Sequence, residues 1–375
     1  MMSSEKHHFK PLTWLRGIAA LLVVISHSLR ATQDTYLSKD EPVNWIWLKV
    51  FDLGTFGVLL FFTLSGTTLY LSHTSRASKL NVFPFYIKRF FRIWPAFALS
   101  LLVYFVFSFA FREFYGVATG NWIERQFLQV PTPTDFLTYL TLSFNISGQP
   151  GLFNNAYWSL PVEFQYYLLF PIMILLIPKL KSLSPILMGV ALYMVFKLDL
   201  GIFKDQRVFM LGFTFCGGVF LGYIYRKYEL RLNQYIGTIT FVFLFVSASI
   251  VSNGFVEIPD LPVISNIWVM LGLIALSVVA SILFAEVKLP RILISQLYKM
   301  GEYSYSLYLY HNLLIGCAVL LLIYFSVTDS AQRYFVVITF GGFVSLYVAH
   351  ISYKYIELPF MRMGSRLSNL DRLNK

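Results

Sequence analysis

Ten stretches of this chain are apolar for long enough to cross the roughly 30 Å hydrocarbon core of a bilayer. They fall at about 14–33, 53–72, 91–113, 157–178, 184–200, 207–225, 236–254, 264–284, 303–325 and 334–353. Hydrocarbon offers a backbone no water, so stretches of this length must satisfy their own N–H and C=O groups as helices. The fifth is the weakest, because Lys197 and Asp199 crowd its end and its apolar core is short. Composition agrees with the count: 57% of the 375 residues are hydrophobic and 13% are charged, against about 25% charged in a soluble domain. A disordered chain, a secreted disulfide scaffold and a soluble two-domain enzyme are all excluded. The expected fold is an all-α, polytopic membrane helix bundle of about ten spans, one domain over 1–375 with its core at 11–360 and a short tail at 361–375.

The net charge of +11 invites nucleic acid as a partner, but its distribution points elsewhere. With a cytoplasmic N-terminus, 21 of the 30 basic residues fall on the inner side, and only 6 of the 19 acidic ones do. The positive-inside rule therefore predicts N-in and C-in termini, with no nucleic-acid partner. The first apolar run has no small-residue cleavage site, so no cleavable signal peptide is expected. Cys216 and Cys317 sit in apolar runs without metal or redox spacing, and the histidines show none either; no metal is expected. The expected outer segments at about 34–52 and 114–156 are long. The second holds PTPTD and NISGQPGLFNN, whose Gly, Pro and Asn predict irregular backbone rather than another helix. An inner segment, 286–302, mixes charges with apolar residues as an interfacial segment would.

Ionisable groups inside spans are costly and mark function by default. Arg16 and His27 lie eleven residues apart in the first span, about three turns and about 16 Å, on one face. His27 suits a general base, with a structural histidine as the plain alternative; Arg16 alone could snorkel to headgroups. The second span carries Ser65 among glycines and threonines, and Asp52 stands before it, open to water, to substrate or to neither. Arg89 and Arg92, three apart on one helical face, suit phosphate groups; Lys88, Arg76 and Lys79 extend the patch, and membrane anchoring explains it equally. Trp158 and Ser159 precede Glu163, which could pair with His27 or merely cap its helix. His311 stands mid-membrane among tyrosines, Tyr308 on its face, as a site or as a self-satisfied polar network.

RGIAALLVVISH, GVLLFFTLSG, KRFFRIWPAF, YWSLPVEFQYY, GEYSYSLYLYH and ELPF occur in that order from Arg16 to Phe360. Together they resemble the acyltransferase-3 family of integral membrane acyltransferases. That resemblance implies transfer of an acyl group, usually acetyl from cytosolic acetyl-CoA, to a hydroxyl of a bacterial envelope glycan, in the cytoplasmic (inner) membrane. It also implies a saccharide or lipid-linked saccharide acceptor, membrane lipid around the bundle, and envelope polysaccharide assembly proteins as partners. The family's basic residue and histidine match Arg16 and His27; its donor-binding basic pair matches Arg89 and Arg92. Its Trp–Ser–Glu segment matches Trp158, Ser159 and Glu163, and its late Ser/Tyr-rich segment matches Ser304 through His311. One departure is Leu59, where many relatives carry an acid. Some relatives append a soluble domain for which this sequence leaves no room, so a lone enzyme or a partner for a later step is expected. His27 would take the hydroxyl proton, oriented by Glu163, with Arg16, Ser65 or Tyr308 at the developing oxyanion. An acylated His27 or serine stays open. The rival reading is a transporter or flippase of lipid-linked saccharides, although no two-fold hydropathy repeat supports it.

Overall fold

A computed structural model describes residues 10–32, 50–74, 80–115, 121–228, 230, 232–255, 266–327 and 329–373. Arg76 and Lys79, and most of segment 34–52, lie outside these. Among the described residues the structure is helical, with a single isolated bridge between Leu232 and Ala285. The helices are α1 (Lys10–Thr32), α2 (Gly54–Thr74), α3 (Val82–Tyr115), α4 (Pro133–Leu140), α5 (Ser159–Leu180) and α6 (Leu183–Leu198). After these come α7 (Gly212–Lys227), α8 (Gln234–Ser252), α9 (Ile267–Phe284), α10 (Arg291–Glu302), α11 (Ser304–Tyr324), α12 (Gly342–Ser352) and α13 (Leu358–Leu373). Among the described residues nine helical stretches are long and apolar enough to cross a membrane, and α6 is a shorter apolar helix. This is the polytopic all-α bundle expected.

α6, the weakest of the expected spans, has 16 residues, about 24 Å at 1.5 Å per residue. Packing shows that the chain nevertheless reverses there. α2 and α7 are in close contact: a Cβ at Gly66 would lie 2.1 Å from the Phe215 carbonyl oxygen, and one at Gly218 would lie 2.1 Å from that of Thr63. Thr67 Oγ1 adds a hydrogen bond to the Gly218 carbonyl at 2.9 Å. Small residues let the backbones meet where lipid supplies no hydrophobic drive. Thr63 lies against Gly218 and Tyr70 against Gly222, so the two helices run parallel. Of the helices between them, α3 and α5 are long enough to cross and the eight-residue α4 is not, so parallel packing requires a reversal at α6 as well. α1 runs parallel to α11, joining His27 to His311 and Ala20 and Val24 to Leu307. α12 is antiparallel to α11, with Gly341 opposite Ile315 and Ala349 against Leu307. The first and last spans therefore point in opposite directions.

Two local readings change. The 114–156 segment contains α4, against the expectation of irregular backbone throughout. Thr132 and Asp135 form a reciprocal capping box with Pro133 in the first turn, so the residues read as loop punctuation are helix-start signals. α3 begins at Val82, nine residues before the expected span at 91–113, so Lys88 and Arg89 share one helix with Arg92. Segment 286–302 yields α10, which packs antiparallel along the first half of α1 through Gly17 and Gly301. The final stretch is one helical run, with π-helical turns at Val337–Gly341 and Tyr353–Glu357, and α13 rests on α3 with Gly364 against Phe91. Gly218→Val should wedge α2 from α7. We expect a loss of about 1–3 kcal/mol, seen as a lower thermal unfolding midpoint in detergent; an unchanged midpoint would refute the close contact.

Candidate active site

α1 and α11 bring two histidines together in the half of the bundle nearer Thr32. His27 Nδ1 lies 2.9 Å from His311 Nε2 and 2.7 Å from Asn312 Oδ1. The rings stack with centroids 5.0 Å apart, and His311 is fully buried. His311 Nδ1 approaches the carbonyls of Tyr308 and Leu307 at 2.9 and 3.1 Å. Asn312 continues to Asn154 at 2.7 Å, and Asn154 to Tyr104 at 2.9 Å. On the other side of His311, the Tyr308 hydroxyl meets Ser159 Oγ at 2.7 Å and the Ala156 carbonyl.

Nearer Lys10, a second group of buried charges surrounds a narrow cavity of about 50 Å³, room for a few waters. Arg16, Ser65, Arg92, Ser159, Glu163 and Tyr308 contribute to its wall. Glu163 Oε1 accepts from Ser65 Oγ at 2.7 Å and from the Tyr167 hydroxyl at 2.5 Å. Arg16 donates to Thr68 Oγ1 at 3.1 Å. Arg89 lies 5.6 Å from the ring centres of Phe85 and Tyr167. Glu357, 1% exposed, accepts from Ser306 at 2.8 Å. The two ion pairs among the described residues, Arg30–Asp52 and Arg207–Asp205, both lie outside this group. Arg16 Nε, Arg89 Nε and Glu357 Oε1 are buried with no hydrogen bond. Three guanidiniums facing two carboxylates without ion-pair contact form a cationic site suited to an anion.

The expected site residues therefore divide into groups. Arg16, Ser65, Arg92 and Glu163 share the cavity, with Ser159 and Tyr308 reaching toward the histidines. Glu163 does not meet His27. α5 places Ser159 at the level of Tyr308, and Glu163 is one turn further toward the Lys10 end, beside Ser65. Asp52 pairs with Arg30 at 3.1 Å and accepts from Ser26, tying the end of α1 to the start of α2. Trp158 packs against Arg207, 4.0 Å from its ring centre, and makes an edge-to-face contact with Trp268. Lys88 lies half-buried on α3, and Leu59 is fully buried in the core. Asn312, Asn154, Thr68 and Glu357 join the site without being among the residues expected there. Asn312 carries a readable signal, an amide in an apolar run next to His311; Asn154 is hidden in a segment that reads as loop.

A family profile described as an acyltransferase domain, of the acyltransferase-3 type, matches residues 10–354. The chain belongs to the acyltransferase-3 family. Among curated proteins, this acyltransferase-3 chain is similar to a Staphylococcus aureus protein provisionally named an O-acetyltransferase, 24% identical over 97% of the chain and 59% of the relative. It is also similar to the peptidoglycan O-acetyltransferase OatA of Listeria monocytogenes, 24% identical over 93% of the chain and 55% of that protein. The acyltransferase MdmB of Streptomyces mycarofaciens is 31% identical over 45% of the chain and 40% of its own length. The chain thus spans a little over half the length of the first two. No solved structure gives a significant match. Glu163→Ala should strand the Ser65 and Tyr167 hydroxyls, at about 1–3 kcal/mol for each unpaired group. Glu163→Gln, which retains an acceptor oxygen, should lose less. Thermal unfolding in detergent makes the comparison, and equal midpoints for the two variants would contradict it.

Proposed function

We propose that the chain is a bacterial inner-membrane O-acetyltransferase. It moves an acetyl group from cytosolic acetyl-CoA to a hydroxyl of a cell-envelope polysaccharide or lipid-linked saccharide. One observation carries this reading: a cationic cavity has Ser159 and Tyr308 in its wall, and the Tyr308 ring lies beside His311 of a hydrogen-bonded histidine pair. Family membership and the names of the relatives support it. The excess of Lys and Arg on the Lys10 side supports placing that side in the cytoplasm.

Arg89 and Arg92 hold the donor's phosphates, with Lys88 and the outlying Arg76 and Lys79 adding to the attraction. The unbonded Nε of Arg89 and of Arg16 suits such an anion. The donor supplies an acetyl thioester. Because the cavity admits only a few waters, Phe61, Phe62 and Tyr305 along its wall must shift to pass a pantetheine arm. Arg16 to His27 is about 16 Å along α1, a span such an arm has to bridge. His27 takes the acceptor's hydroxyl proton as that oxygen attacks the thioester carbonyl. The C–S bond then breaks, and His27 returns the proton to the departing thiolate. Of the proposed donors to the developing oxyanion we favour Tyr308, whose ring centre is 5.8 Å from that of His311 and whose hydroxyl would turn from the Ala156 carbonyl to donate. Glu163 keeps Ser65 and Tyr167 in place rather than orienting the base.

Mass analysis of envelope glycans with and without the protein tests the reading. A difference of one acetyl group on a saccharide is expected, and identical glycans would overturn it. In transfer assays, Arg89→Ala and Arg92→Ala should each raise KM for acetyl-CoA about tenfold or more, the worth of a charged hydrogen bond. His27→Ala should instead lower kcat by about 10²–10⁴.

A further inference from the structure

A neutral imidazole carries its proton on one nitrogen, and only the other can act as a base. Two chains of hydrogen bonds converge on His27 Nδ1, and each starts from a backbone group whose polarity is fixed.

The first starts at Asn154. The Ala156 N–H can only donate, and it donates to Asn154 Oδ1 at 2.9 Å. The Leu309 carbonyl can only accept, and it takes the Asn154 side-chain amide N–H at 3.3 Å. Asn154 therefore cannot be turned over. Its Oδ1 requires Asn312 to present Nδ2, at 2.7 Å. Asn312 Oδ1 is then the atom facing His27 Nδ1, at 2.7 Å. A carbonyl oxygen in that place accepts, so Nδ1 must donate.

The second starts at His311. Its Nδ1 faces two backbone carbonyls, those of Tyr308 and Leu307, and must carry the proton to donate to them. In neutral His311 the remaining nitrogen, Nε2, is bare, and it lies 2.9 Å from the same His27 Nδ1. It too can only accept. Both chains put the His27 proton on Nδ1, and His27 Nε2 makes no hydrogen bond to any described residue.

We propose that Asn312, held by Asn154 and seconded by His311, is a positioning residue that fixes His27 as the Nδ1–H tautomer and leaves Nε2 bare to receive the acceptor's proton. Asn154 caps the short helix that leads into Ser159, so one residue orders the base and the segment beside Tyr308. Asn312 does for His27 what a buried carboxylate does for the histidine of a hydrolytic triad, holding tautomer and orientation. An amide does so without adding charge to the bilayer interior, where a carboxylate is costly.

Solid-state NMR of the full-length chain in lipid, labelled with ¹⁵N-histidine, tests this directly. The His27 signals are identified by their loss in His27→Ala. Neutral His27 should show a protonated Nδ1 and a bare Nε2; a protonated Nε2 would overturn the proposal. Asn312→Leu, of similar volume, should introduce the Nε2–H form. It should also lower kcat about tenfold or more while KM for acetyl-CoA holds, a split that general destabilisation would not give. Full kcat with an unaltered His27 spectrum would also overturn it. The spectrum of the unaltered chain decides the question even if the variant fails to fold. The inference rests on reading His27 as the base, yet the spectrum needs no transfer. Nδ1–H in a chain that transfers nothing would remove the enzyme reading alone, whereas Nε2–H in an active chain would remove the positioning role alone.

Discussion

Polar atoms inside hydrocarbon have no water to bond, and the packing of this bundle is governed by where they find partners instead. Thr67 reaches the Gly218 carbonyl because two glycines let α2 and α7 close up. Asn154, Asn312, His27 and His311 satisfy one another across three segments distant in sequence. Such a network is worth having only when complete, since a half-satisfied one costs more than an apolar core. Where it is incomplete, at Arg16 Nε and Arg89 Nε, the unmet N–H groups are what the proposed anionic acyl donor would satisfy, while Glu357 Oε1 is left as an unmet acceptor.

The two halves of the site use different physics. Around the histidines, groups are neutral and tightly bonded, which suits moving a proton with little reorganisation. Around the cavity, guanidiniums and carboxylates stand apart without ion-pair contact, which under the proposed function keeps the cations available to a phosphate. Ser159 and Tyr308 join the halves, and Trp158, next to Ser159 in the chain, packs against Arg207 and Trp268. Glu163 belongs with the charged half. Its bond to Ser65 ties α5 to α2, and its bond to Tyr167 lies within α5.

Much of this is legible from residues alone. Run lengths locate the nine helical stretches among the described residues that are long enough to cross a membrane, because hydrocarbon thickness sets that length; α6, at 16 residues, is shorter, and packing decides its case. The Arg16–His27 spacing places both on one face of α1, since helix geometry fixes rotation within a single element. Rotation between elements is another matter. Glu163 and His27 look like partners because both lie toward one end of their spans, but Glu163 is a turn along α5 beyond Ser159, beside Ser65, while His27 is level with His311. The bond between Asn312 and Asn154, 158 positions apart, depends on tertiary packing and leaves no periodicity to read. α4 is hidden for a different reason. Thr132, Pro133 and Asp135 break structure or start a helix according to the residues after them, and a helix of eight residues is too short to declare a period.

The central claim is that a proton taken by His27 drives acyl transfer through the bundle. Purified protein in proteoliposomes, given acetyl-CoA labelled in the acetyl group and an envelope saccharide acceptor, tests it most directly. The account predicts label on the acceptor with the unaltered chain and its loss with a His27→Ala chain that still folds and inserts. Equal labelling by both, or movement of unlabelled saccharide across the membrane in place of labelling, would contradict it.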